Sequence, residues 1–117
     1  KDLLGKKNLV VSFFATWCVP CAKEIPELTK ISNELGDDFK FLLVDVNEKR
    51  DKVKEHVSNK GITLQVVLDK YGKTFEKFGG ETLPLLVVID KKGKITYYHS
   101  GYRDGDEIKL KEHLKTL

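Results

Sequence analysis

The apolar residues of this chain switch between two rhythms. Leu9 to Phe14 is a short apolar run rich in Val and Phe, which predicts a buried strand. From Trp17-Cys18 onward the spacing of Ile25, Leu28, Ile31 and Leu35 is helical, and Gly36 suits the position just past a helix end. Phe39 to Val46 predicts a second buried strand. Lys49 to Lys60 is polar except for Val53 and Val57, four positions apart, so it reads as a one-faced helix ended by Gly61. Leu64 to Leu68 predicts a third strand. Asp69 then suits the cap of a short helix carrying Tyr71, Phe75 and Phe78 on one side, closed by Gly79-Gly80. Leu85 to Ile89 and Lys94 to Ser100 flank the turn Asp90-Lys91-Lys92-Gly93 and predict an antiparallel hairpin. Asp104 with Glu107 resembles a capping box, opening a last helix with Leu110, Leu114 and Leu117 facing inward.

The predicted order is β-α-β-α-β-α-β-β-α. Alternation of this kind argues for an α/β fold whose central sheet, parallel in part and made mixed by the last hairpin, carries helices on both faces. A length of 117 residues predicts a single domain, residues 1–117. With 40% hydrophobic and 33% charged residues the chain is neither a disordered polyampholyte nor a collagen-like repeat. Its longest apolar runs, Leu9-Val10-Val11 and Leu85 to Ile89, are far short of the ~20 residues a bilayer requires. The net charge of +3 is spread among interleaved acids and bases, so no nucleic-acid partner is expected. The chain has no methionine, which predicts a processed or trimmed product whose start, with any signal peptide or lipid anchor, lies upstream.

Cys18 and Cys21 are the only cysteines, which excludes a multi-bridge disulfide scaffold. Their C-x-x-C spacing leaves a redox pair, half of a zinc site, or a structural bridge. Zinc lacks partners, because His56, His99 and His113 are far apart along the chain and a structural site takes four ligands. A bridge across one helical turn closes almost no loop and stabilises little. A redox pair fits better. At a helix start the two residues share one face ~5–6 Å apart, within reach of a disulfide. The unpaired N–H groups and positive dipole end there favour a thiolate, so Cys18 is expected to ionise below the free value of ~8.5. Cys21, one turn further in, is expected to be the sheltered thiol. Pro20, lacking an N–H, is tolerated in the first turn.

The segment Phe14-Ala15-Thr16-Trp17-Cys18-Val19-Pro20-Cys21-Ala22-Lys23-Glu24-Ile25-Pro26 resembles the thioredoxin-like proteins, and most of all their TlpA/ResA branch of extracytoplasmic thiol-disulfide oxidoreductases. The similarity runs from about Leu4 to the C-terminus and includes Leu83-Pro84 before the fourth strand and Asp90…Gly93 in the last hairpin. It implies a thioredoxin fold with an additional helix-strand unit in the middle and without the family's N-terminal hairpin. It also implies a helix kinked at Pro26, and a cis Pro84 facing the disulfide, with Leu83 offering backbone groups to an extended substrate. Trp17, Val19 and Pro20 would border that substrate site, whereas Phe14 reads as core. Where thioredoxins carry a buried aspartate, six residues before the first cysteine, this chain has Ser12, which does not ionise. Glu48 matches a glutamate that the branch places near its cysteines, and is expected to serve as acid/base for Cys21, titrating close to neutrality. The histidines read as surface or satisfied residues.

The resemblance implies exchange of disulfides with partner proteins through Cys18 and Cys21, with no cofactor beyond the redox-active disulfide. Val19-Pro20 places no side-chain donor between the cysteines, which predicts a reducing couple. The role implied is extracytoplasmic, in the periplasm or on the outer face of the membrane. An apocytochrome c or similar thiol protein would be the substrate and a membrane thiol protein the electron donor, and a monomer is expected. Two rival readings stay open: a non-catalytic thioredoxin-like module that binds a protein or metal, and a thiol peroxidase on the same fold. Copper delivery fits poorly with C-x-x-C and no methionine.

Overall fold

A computed structural model describes residues 7–117. Among these residues, β1 (Asn8–Phe14), β2 (Phe39–Val46), β3 (Gln65–Asp69), β4 (Leu85–Ile89) and β5 (Ile95–Ser100) form one sheet in the order β3-β2-β1-β4-β5. β1 runs parallel to β2, and β2 parallel to β3, while β4 is antiparallel to both β1 and β5. The helices are α1 (Val19–Leu35), α2 (Arg50–Lys60), α3 (Lys73–Lys77) and α4 (Asp106–Leu114). This is the α/β thioredoxin fold with the expected mixed sheet. The central helix-strand unit, α2 with β3, extends the sheet at its β2 edge. The expectation of a missing N-terminal hairpin, and of an anchor before it, concerns positions outside the described residues.

Every residue of β1 is buried, because the strand is paired on both sides and covered on both faces. Its side chains alternate between two cores. Val10 and Phe14 join Phe41, Leu43, Leu86 and Val88 under α1 and α4, where Leu28, Ile31, Leu110 and Leu114 pack. Leu9, Val11 and Phe13 join Val44, Leu85 and Val87 on the opposite face. There the rings of Phe75 and Phe78 tilt against Phe13 at centroid distances of 5.6 and 5.5 Å. Helices therefore lie on both faces, and Ser12 points to the α1 side between Val10 and Phe14.

Local signals explain most boundaries. α1 continues through Pro26 to Leu35 and ends at Gly36, whose φ is +72°. Asp69 caps the turn into α3 by accepting from Thr74 N (3.2 Å) and Phe75 N (2.8 Å). Asp69→Ala should cost about 1 kcal/mol, read as a lower denaturant midpoint with an unchanged slope.

Three expectations are corrected. Tyr71 is exposed rather than packed with Phe75 and Phe78, because it lies in the turn before α3. Leu117 is also exposed, since α4 ends at Leu114. Asp104 does not cap α4: Gly105 occupies that position, with φ +101°. The Asp106 carboxylate accepts from Arg103 N, and that of Glu107 from Gly105 N and the Tyr102 hydroxyl.

Candidate active site

β1 leaves the sheet at Phe14 and the chain turns through Ala15 to Trp17 into α1. Cys18 is the N-cap residue of that helix, in extended backbone geometry. Its Sγ accepts the N–H of Cys21 at 3.2 Å, the bond an N-cap hydroxyl or carboxylate ordinarily accepts. Pro20 has no N–H to offer. Cys18 and Cys21 form a disulfide, with Cα atoms 5.3 Å apart. Sulfur at this cap sits against the positive end of the α1 dipole, so the same geometry favours negative charge on Cys18 once the bond is reduced.

Cys21 is sheltered as expected, 1% exposed, while Cys18, at 5%, is more enclosed than an exposed nucleophile would be. The prominent surface is formed by their neighbours, with Trp17 68% exposed and Val19 66%, and Pro20 is exposed too. The Leu83–Pro84 peptide bond is cis. Leu83 is half-buried against the core cluster that contains both cysteines, and Pro84 is buried. Pro84 O accepts from Gly101 N at 2.7 Å, which ties the residue before β4 to the end of β5.

The expectation for Glu48 needs correction. Its carboxylate accepts from Thr16 N (2.8 Å) and Thr16 Oγ1 (2.7 Å), and Lys52 Nζ lies 3.3 Å away. Burial alone would raise its pKa, but hydrogen bonds from Asp45, Thr16 and Lys52 outweigh it and hold the group down at about 2. Glu48 therefore stays ionised through neutrality and holds the turn before Cys18, instead of titrating near neutrality.

A buried carboxyl that sequence reasoning passed over lies on α1 itself. Glu24 is 3% exposed, one turn beyond Cys21 on the helix's buried face, and accepts from Ser12 Oγ at 2.7 Å. Burial pushes it up to about 7, against the downward pull of Ser12 and with a further rise from Asp106. Ser12 supplies no ionisable group of its own but orients one. A cavity of about 10 Å³ between Glu24, Tyr97, His99, Tyr102 and Asp106 is near the lower limit for one water, and His99 Nε2 lies 3.1 Å from Asp106 at its rim. The signal was available in the helical period: Cys21, Ile25, Leu28 and Ile31 define the inner face, and Glu24 falls on it. Two of the histidines are satisfied, His99 by Asp106 and His113 by Thr96.

The profile of the Redoxin family matches residues 1–114. The chain belongs to the Redoxin family. Among its Redoxin relatives, thiol-disulfide oxidoreductase ResA of Geobacillus thermodenitrificans is 31% identical over 114 residues, covering 95% of this chain and 63% of that protein. Etrx1 of Streptococcus pneumoniae, a pneumococcal exposed lipoprotein thioredoxin, is 30% identical with a TM-score of 0.77, over 99% of this chain and 89% of that one. A Chlorobium tepidum protein described as a thiol:disulfide interchange protein DsbE has a TM-score of 0.90 at 22% identity, over 96% of this chain and 80% of that one, and shows the shared fold. The chain spans about half the length of the curated relatives it matches, 44% and 46% of two of them. Among the described residues no helix is long and apolar enough to cross a membrane.

Proposed function

We propose that this chain is a thiol-disulfide oxidoreductase domain acting on partner proteins through Cys18 and Cys21. The observation that carries the reading is the Cys18 sulfur placed as the N-cap acceptor of α1, bonded to Cys21. In the reduced protein the Cys18 thiolate attacks one sulfur of a partner disulfide and the other sulfur leaves as a thiolate. Cys21 gives its proton to Glu24, one turn away, and attacks Cys18 Sγ. The partner departs with both sulfurs reduced, and the Cys18–Cys21 bond is formed again.

Trp17, Val19 and Pro20 present the surface a partner meets, and Leu83 with Pro84 borders it. Glu48 positions the approach to Cys18 through Thr16. The reducing direction follows from the absence of a side-chain donor between the cysteines, where Val19 and Pro20 stand. The ResA relative's name, thiol-disulfide oxidoreductase, supports disulfide exchange as the chemistry, and the Etrx1 relative's, an exposed lipoprotein, supports an extracytoplasmic setting. Within that setting the substrate would be an apocytochrome c or a similar thiol protein, with a membrane thiol protein as donor.

Insulin reduction driven by dithiothreitol tests the reading. Acceleration that needs both cysteines is the expected result. A chain that leaves the rate unchanged would instead be a binding module. Oxidation by peroxide faster than by protein disulfides would make it a peroxidase.

A further inference from the structure

Asp45 is a buried acid without a role in the steps above. It lies in β2 opposite Phe14 of β1 and Leu68 of β3, and is 0% exposed. Strand alternation puts it on the same face as Phe41 and Leu43, the face that packs against α1 and the cysteines. Neither carboxyl oxygen has a hydrogen-bond donor within reach among the described residues. An ionised carboxylate in such a place is costly, and its remedy is to keep the proton. The carboxylate whose charge bears on Asp45 is Glu48, which accepts from Thr16 N and Oγ1.

We propose that Asp45 and Glu48 form an acid pair holding one proton, that the pair positions the Thr16–Cys18 turn, and that its proton affinity depends on the redox state of the cysteines. Asp45 donates to Glu48, and Glu48 accepts from Thr16, so the loop before the attacking sulfur hangs from a protonated buried acid. This rests on the reading of Cys18 as the sulfur that becomes a thiolate.

Reduction by a dithiol breaks the Cys18–Cys21 bond with two electrons, puts one of its protons on Cys21, leaves Cys18 as an anion and releases the other proton to solvent, while the dithiol becomes a disulfide. The new negative charge disfavours a second one on Asp45, so the acid pair holds its proton more tightly in the reduced protein. By reciprocity, the protonated pair favours the reduced thiolate. Where Asp45 is ionised in the oxidised form, reduction therefore draws an extra proton onto it.

The groups that bear on Asp45 can be named. Burial, the hydrogen bond with Glu48 and the Glu48 charge raise it, Lys52 of α2 lowers it, and it stands at about 8. His56 of α2 lies against Phe14, its cross-strand partner. Asp69 at the end of β3 is engaged by Thr74 and Phe75. On the sheet-facing side of α1 the titratable groups are the two cysteines and Glu24, whose own carboxyl is bonded to Ser12.

Carboxyl carbon NMR of the whole chain, with the Asp45 signal assigned by its loss in Asp45→Asn, tests the proposal. In the oxidised protein the Asp45 carboxyl should titrate near pH 8, with the Thr16 amide following the same midpoint. Reduction by dithiothreitol should move both midpoints up together by about half a unit or more. In Asp45→Asn, which can still donate to Glu48, the Thr16 amide should lose that inflection while the Glu24 titration remains. An Asp45 that ionises in the ordinary carboxylate range, a midpoint equal in both redox states, or a Thr16 amide that ignores Asp45 would each overturn the proposal. Its failure is separable from failure of the proposed function, because the NMR titration uses a small dithiol and needs no protein substrate. Insulin reduction reports on the function alone.

Discussion

Replacing Cys21 by serine should turn the chain into a trap for its disulfide partner. Cys18 keeps its cap position and attacks, but nothing resolves the mixed disulfide, because a serine hydroxyl does not displace a thiolate at neutral pH. A covalent complex should accumulate that dithiothreitol dissolves, and turnover should fall by about a thousandfold or more. Cys18→Ser should lose as much turnover without trapping anything, since the remaining Cys21 lies inside the first turn of α1, away from the capping position that favours a thiolate. The asymmetry between the two variants is the informative part. A structural bridge would predict equal and small effects, because it closes a loop of only one helical turn. Equal trapping by both variants would mean that either sulfur can attack, contrary to the capping position that distinguishes them.

Glu24→Gln should separate chemistry from stability in one variant. Glutamine keeps an acceptor for Ser12 Oγ but takes up no proton from Cys21. Resolution of the mixed disulfide should slow by about a hundredfold near neutrality, the size expected for loss of a general base. Stability should move the other way. The carboxyl is raised by burial from its ordinary 4.5 to about 7 in the folded chain, so the unfolded chain gives up this proton first as pH rises. Its contribution is intact below pH 4.5, falls as pH rises, and has gone above about 7. Relative to the wild type, Glu24→Gln should therefore gain nothing at low pH and about 3 kcal/mol above neutrality. Denaturant unfolding of both proteins across this range measures the difference directly, and a pH-independent difference would rule out the buried, titrating Glu24. Glu48, held low, contributes in the opposite sense and is common to both proteins, so it cancels.

The features that local pattern controls were legible in the sequence. Mostly apolar runs marked β1, β2 and β4 because those strands are largely buried. The helix that presents the cysteines was visible in the spacing of Ile25, Leu28 and Ile31, and its start in the C-x-x-C itself. What stayed hidden depends on contacts between distant positions. Ser12 and Glu24 are 12 residues apart, and their hydrogen bond exists only once α1 is folded onto β1. On β1 the position holds only a serine, while the acid stands on the helix. Asp45 was concealed inside the apolar run Phe39 to Val46, although a lone carboxylate in a buried strand always needs a partner or a proton. Glu48 sat in a charged stretch, and its two bonds to Thr16 span 32 residues. At α4, side chains at Asp106 and Glu107 went to tertiary partners, His99 and Tyr102, and the helix start moved past Asp104.

Every step above requires that Cys18 be ionised near neutral pH when the disulfide is open. Following the ultraviolet absorbance of the thiolate against pH in the reduced Cys21→Ser chain isolates this one group. A midpoint clearly below the free-cysteine value of ~8.5 is the predicted result, because the α1 cap and its dipole end hold the anion. A midpoint at or above that value would contradict the account.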